Sequence, residues 1–344
     1  MFGQLPKLFD RNFATGYFLP VATFLSVSLI VVNGFGLLPA VLDINTVGQV
    51  DVLVGSTLIG LLSWLGGICL LAMNRDILRL MEGYGHLNPA RLLAVVERRR
   101  YRRIKQQISR LDEQYSSCIT QDKVVPEDLR QERSQLMRKI VERFPDQEQW
   151  LLPTPFGNII RAFEVYPRVM YGLDSIPGWN RLLAVIPEDY RGLVDDAKAQ
   201  VDFWMNLWLL SLMALIEYAA LAIYTAQVKA VWFLPAAVCV TLVASSRARS
   251  SAGEWGDLVK SSFDVFLPEL RKKLGFTDPA GADEERRLWR GFSQAIIYGL
   301  PECLPEHTEL STDADRTATN TRASLLSLVK LALDRITSRW RRPR

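Results

Sequence analysis

Three stretches almost free of charge constrain this chain more than any other feature. Residues 14–42 contain no Asp, Glu, Lys or Arg, and neither do residues 52–74. Residues 203–246 contain only Glu217 and Lys229. A hydrocarbon core of about 30 Å takes roughly 20 apolar helical residues at about 1.5 Å each. The first run predicts a span near 17–38 and the second a span near 52–73. The third would form roughly 66 Å of helix, too long for one crossing. It predicts two spans, near 203–225 and 230–246, turning between Ala226 and Lys229. The last is short and contains Pro235. The average over 344 residues, 49% apolar and 23% charged, hides this segregation. The first span reads as a retained helix, since its apolar stretch is long and no A-x-A site follows.

The expectation is an all-α polytopic membrane protein with four transmembrane helices in two hairpins and helical cytoplasmic regions. Its segments are 1–74, the first hairpin; 75–202, a cytoplasmic helical hairpin with a Pro-punctuated junction; 203–246, the second hairpin; 247–305, cytoplasmic helices; 306–320, a flexible linker; and 321–344, a basic amphipathic tail. Lys and Arg flanking the spans set orientation. Lys7 and Arg11 precede the first, Arg75 and Arg79 follow the second, and Arg247 and Arg249 follow the fourth. The first loop carries only Asp43 and Asp51. Both termini are therefore expected in the cytoplasm, with little exposed outside to bind a large ligand.

Inside the membrane, Ser56, Gly60, Ser63 and Gly67 share one helical face, a stripe of small residues that lets another helix approach. Glu217 is the carboxylate within a span, near the midplane, where a charge costs at least about 2.5 kcal/mol. It predicts either a proton or ion pathway or a structural interhelical hydrogen bond, with Asn33, Ser28, Thr57 and Thr241 as candidate neighbours.

In the cytoplasmic part, Asn88 and Pro89 open a helix whose Tyr101, Ile104, Ile108, Leu111 and Tyr115 form a coiled-coil-like seam. A second helix from Pro126 to Phe144 makes an antiparallel hairpin with it. The first carries Arg98, Arg99, Arg100, Arg102, Arg103 and Lys105. Three readings stand: a solvated face paired with Glu127, Asp128, Glu132 and Glu142, a surface for anionic headgroups, or a nucleic-acid site. The net charge of +4 and the lack of interleaved aromatics disfavour nucleic acid.

Five prolines, Pro153, Pro155, Pro167, Pro177 and Pro187, punctuate the next region, predicting a short helix from Phe156 to Tyr166. Arg161 and Glu164 can pair at i, i+3, Asp174 and Ser175 can cap the next turn, and Arg161, Glu164 and Asp174 form a candidate polar cluster. From Pro153 to Asp196 the chain carries PTPFGN, RAFEVYP, YGLDS and PEDY…DD. These phrases resemble a group of uncharacterised bacterial multi-pass membrane proteins with PTxxGN, RAxExYP and YGxDS elements. The resemblance brings no activity with it. Residues Pro187–Asp202 are expected to run into the third span as one helix.

Beyond the fourth span, a helix over 253–274 interrupted at Pro268 is expected, then one over 283–298 with Leu288, Trp289, Phe292 and Ile296 on one side. The tail is periodic and basic. Arg335, Arg339, Arg341, Arg342 and Arg344 suit anionic lipid headgroups, with a partner helix as the rival.

Cys69, Cys118, Cys239 and Cys303 show no CxxC spacing, and only His86 and His307 offer imidazoles. No phosphate-loop, dinucleotide, zinc-protease or serine-elbow motif occurs. No catalytic residue, metal ligand or cofactor is therefore assigned. The functional expectation is a non-enzymatic signalling, scaffolding or effector module facing the cytoplasm, acting through a protein partner or self-association. An oligomeric channel or transporter is the alternative and a membrane-bound enzyme the third reading.

Overall fold

The computed structural model describes residues 10–37, 49–85, 88–228 and 231–304, except the side chains of residues 49–53. Helix makes up 84% of it and no strand forms among the described residues, so the fold is all-α. Among the described residues, nine principal helices follow in order: α1 (Arg11–Gly34), α2 (Gln49–Glu82), α3 (Ala94–Thr120), α4 (Glu127–Arg143), α5 (Pro155–Tyr171), α6 (Ser175–Leu182), α7 (Glu188–Thr225), α8 (Phe233–Leu274) and α9 (Ala282–Tyr298).

Three of these, α1, α2 and α7, are long and apolar enough to cross a membrane. Several of their hydroxyls are satisfied locally, as apolar surroundings favour. Thr15, Thr23 and Ser26 each donate to the carbonyl four residues back. The first and second expected spans lie within longer helices. The apolar part of α2 ends near Met73, and Arg75, Asp76, Arg79 and Glu82 carry the same helix roughly 13 Å further.

The fourth expected span is the N-terminal part of α8. Its charge-free portion, 233–246, makes only about 21 Å of helix before Arg247, short of a full crossing. It nevertheless packs along α7. Tyr218 stacks on Phe233 at 5.6 Å, and Ser211 Oγ meets Thr241 Oγ1 at 2.8 Å. The interruption expected at Pro268 is absent, because α8 runs unbroken to Leu274. Nor does Pro167 end α5, which continues to Tyr171. Proline removes one N–H and its bond. Pro167 is nevertheless buried, and its carbonyl is used again by the Leu173 N–H, which closes the helix around Gly172. With φ at +81°, Gly172 occupies a conformation that glycine adopts without strain.

α3 and α4 form the antiparallel pair, through Tyr101, Ile104 and Ile108 against Ile140 and Phe144. Asn88 opens the segment by accepting from the Ala90 N–H, although its first turn, Pro89–Leu93, is a 3-10 helix. The acids expected to answer the basic run do not do so. Arg102 pairs with Glu148 beyond α4, and Arg100 lies 3.7 Å from Glu97 on its own helix. Glu127 instead pairs with Arg130. Glu142 lines the same cleft as Arg100 yet forms no ion pair among the described residues, and Glu148, just past α4, is the acid within reach of Arg102.

The main core gathers α5, α6, α7, α8 and α9 around fully buried Leu173, Leu182, Met205, Phe263 and Trp289. Each such side chain contributes roughly 1.5–3 kcal/mol on burial. α7 runs without a break from Glu188 into its apolar half.

Candidate functional site

The proline-punctuated junction is where the end of the apolar helix α2 meets the charged helices α3 and α5. Thr154 caps α5 by accepting from the Gly157 N–H, and its hydroxyl donates to the Met81 carbonyl near the end of α2. Gly157 lies directly on that helix end. A Cβ there would stand 2.6 Å from the Glu82 carbonyl oxygen, so no side chain fits without displacement. Asn158 is fully buried. Its Oδ1 accepts from the Leu152 N–H at 2.7 Å and its Nδ2 donates to Glu97 Oε2 at 3.0 Å. Three helices, α2, α3 and α5, are therefore tied together by residues of the PTPFGN phrase.

One turn further along α5, Arg161 pairs with Glu164 at 3.2 Å and donates to the Tyr84 hydroxyl. Its Nε is buried with no hydrogen-bond partner. Asp174 does not join them. It sits at the N-cap position of α6, yet its carboxylate makes no cap and lies 3.7 Å from Arg168. Its N–H instead donates its bond to Ser293 Oγ on α9. Glu82 takes the place Asp174 was expected to fill. This carboxyl is 6% exposed and forms no ion pair among the described residues. Burial pushes it up to about 7, helped by the neighbouring Glu164 and opposed by Arg161 and Arg79. Burial also raises Glu164, again opposed by Arg161. No motif flags Glu82. The only hint in the sequence is an acid at the end of a long apolar helix, ahead of a Gly.

A cleft of about 590 Å³ lies beside the junction, between the α3–α4 pair and α8. Phe144, Ile159 and Phe163 line it with Arg100, Arg249 and Lys260. Acids line it too, and Lys260 is held 2.6 Å from Asp257. On the same side of α5, Tyr166 and Tyr171 both donate to Asp264 Oδ1. That bond and burial push Tyr166 up to about 12.

A second polar set lies between α1 and α7. Tyr17 donates to Asp202 at 2.6 Å, and Lys198 reaches the same carboxylate at 2.8 Å. One turn on, Asn206 donates to the Gly16 carbonyl at 2.8 Å, while its own Oδ1 is buried and unpartnered. Gly16 belongs to a π-helical stretch, Ala14–Phe18, whose wider turn leaves a carbonyl free for such an outside donor. The spacing of Lys198, Asp202 and Asn206 at i, i+4, i+8 is the sequence signal for this row. Further along α7, Glu217 accepts from Ser28 of α1, one of its four expected neighbours. Thr241, another of them, bonds Ser211 instead.

The small-residue face of α2 divides. Ser63 and Gly67 are buried, with a Gly67 Cβ position 3.1 Å from the Phe13 ring of α1. Ser56 is exposed and the space beside Gly60 is open. Arg335, Arg339, Arg341, Arg342 and Arg344 lie outside the described residues, as does the 306–320 linker. Among the described residues, no group of three or more His, Cys, Asp or Glu side chains could hold a metal ion. No family model, curated protein or solved structure matches the chain.

Proposed function

We propose that this chain is a bacterial inner-membrane protein of four spans that relays signals or scaffolds partners on its cytoplasmic side without catalysing a reaction. The observation that carries this reading is helix continuity. α2, α7 and α8 each join an apolar part and a charged part in one unbroken helix. A helix resists bending, so a load on the α3–α4 pair reaches the membrane helices through the PTPFGN ties. The short α8 segment completes the second hairpin by pairing with α7, and both termini are cytoplasmic. The exposed Arg98, Arg99 and Arg103 and the basic tail serve as contacts for anionic headgroups or for a partner protein. The likeness to uncharacterised multi-pass proteins is consistent with this placement and adds no activity.

The test is photo-crosslinking in membranes from positions on the solvent face of α3. It should capture a discrete protein partner or a second copy, and capture should fall with Arg98→Glu and Arg102→Glu. Absence of any adduct would argue against the scaffold. The Glu217–Ser28 pair favours a second reading, an oligomeric channel or transporter. Ion or proton flux in reconstituted vesicles, abolished by Glu217→Gln, would select it.

A further inference from the structure

The unassigned feature with the clearest chemistry is the carboxyl of Glu82. Two buried or half-buried acids lie at this junction: Glu164 holds the guanidinium of Arg161 on α5, and Glu82 forms no ion pair among the described residues. That guanidinium is committed to Glu164 at 3.2 Å and to Tyr84. From its own helix Arg79, whose guanidinium lies over the Tyr84 ring at 5.4 Å, favours the ionised form of Glu82 without pairing with it. On α3, Glu97 is bound by Asn158. The segment before α5 contributes only the uncharged Pro153 and Thr154. A buried carboxylate without its own counter-ion is resolved by taking a proton or by moving into water.

We propose that Glu82 is a proton-operated latch: protonated, it lets the end of α2 lie against α5, and ionised, it loosens that joint. The position makes protonation consequential. The Glu82 carbonyl is the atom against which Gly157 packs, and the Thr154 hydroxyl holds the preceding residue's carbonyl. Movement of Glu82 therefore disturbs both ties between the second membrane helix and the cytoplasmic core. The ligand is a proton, and the range in which it acts spans cytoplasmic pH. The direction follows from linkage. Once the joint opens, Glu82 returns to its ordinary range near 4.5, so opening is favoured as pH rises from there to about 7 and levels off above. Across that window the opening constant should rise on the order of a hundredfold.

The inference rests on the relay reading of this joint, but its test reads protonation and not partner capture, so the two can fail separately. The full chain in lipid nanodiscs is titrated between pH 5 and 9 by infrared difference spectroscopy. A protonated-acid carbonyl band should disappear with a midpoint near neutrality. It should be absent in Glu82→Gln and shift to lower pH in Glu164→Gln, which removes the neighbouring negative charge. In a cysteine-free background, spin labels at Leu80 and Val169 should show a longer-distance population growing with pH, lost in Glu82→Gln. A titrating band that persists in Glu82→Gln, or no band near neutrality, overturns the assignment. A distance change identical in wild type and Glu82→Gln overturns the latch.

Discussion

Gly157 touches the carbonyl oxygen of Glu82, and a single added methyl would stand 2.6 Å from it. One backbone-to-backbone contact thus sets how closely α5 approaches the end of the long apolar helix α2. Gly157→Ala should therefore push α5 off that end and lower stability by about 1–3 kcal/mol, as overpacking does. A fall in the melting temperature of the detergent-solubilised protein checks it. An unchanged melting temperature would mean the contact gives way freely.

Asn158 bridges the approach to α5 and the buried Glu97 of α3. Asn158→Leu fills its space but leaves Glu97 and the Leu152 N–H without their partner, at about 1–3 kcal/mol for each buried group. The α3–α4 pair should then become sensitive to limited proteolysis at its attachment near residues 146–152 before the rest of the chain is cut.

Tyr17 and Lys198 share the carboxylate of Asp202, which is 5% exposed. Tyr17→Phe should cost about 1.5–3 kcal/mol, the range for a hydrogen bond to a charged group. A double-mutant cycle with Asp202→Asn should show coupling of at least 0.5 kcal/mol in order of magnitude, as residues in one network do. Additive effects would show that the hydroxyl and carboxylate act independently.

Glu217→Gln preserves an acceptor for Ser28, whereas Glu217→Leu abolishes it. The leucine variant should lose about 0.6–2 kcal/mol of helix association, the range for hydrogen bonds within membranes, and the glutamine variant less. Resistance to unfolding in graded denaturing detergent ranks the two.

Stability should also depend on pH through Glu82. Its folded value, about 7, lies above its ordinary value of 4.5, so its contribution is complete below the latter. It is lost as pH rises through the former, at about 1.4 kcal/mol per pH unit at most within the window. Denaturation midpoints between pH 5 and 8 should decline in the wild type and flatten in Glu82→Gln. A decline of equal slope in both would assign the pH dependence to another group.

Much of the fold is legible because its causes are local. The charge-free runs at 14–42 and 52–74 lie largely in helices, and Asn88 and Thr154 sit at helix starts because short polar side chains satisfy first-turn N–H groups. The burial of Tyr101, Ile104, Ile108 and Leu111 follows from their 3-4 spacing. Proline misleads at Pro167 and Pro268, where a buried helix retains its course despite one missing hydrogen bond. Packing of the surrounding turns outweighs a local penalty of about 3 kcal/mol.

The amino-acid sequence by itself determined the helical class and the division between apolar and charged helix, since both depend on spacing and hydropathy within a few turns. Tertiary structure alone decided which polar groups meet. It brought Thr154 to the Met81 carbonyl and Tyr17 to Asp202, and sent Asp174 to Arg168 and Ser293. Such pairs join residues up to 185 positions apart, a separation across which no local periodicity carries information. Their energies come from burial and shared counter-charges, and both exist only once the helices have packed.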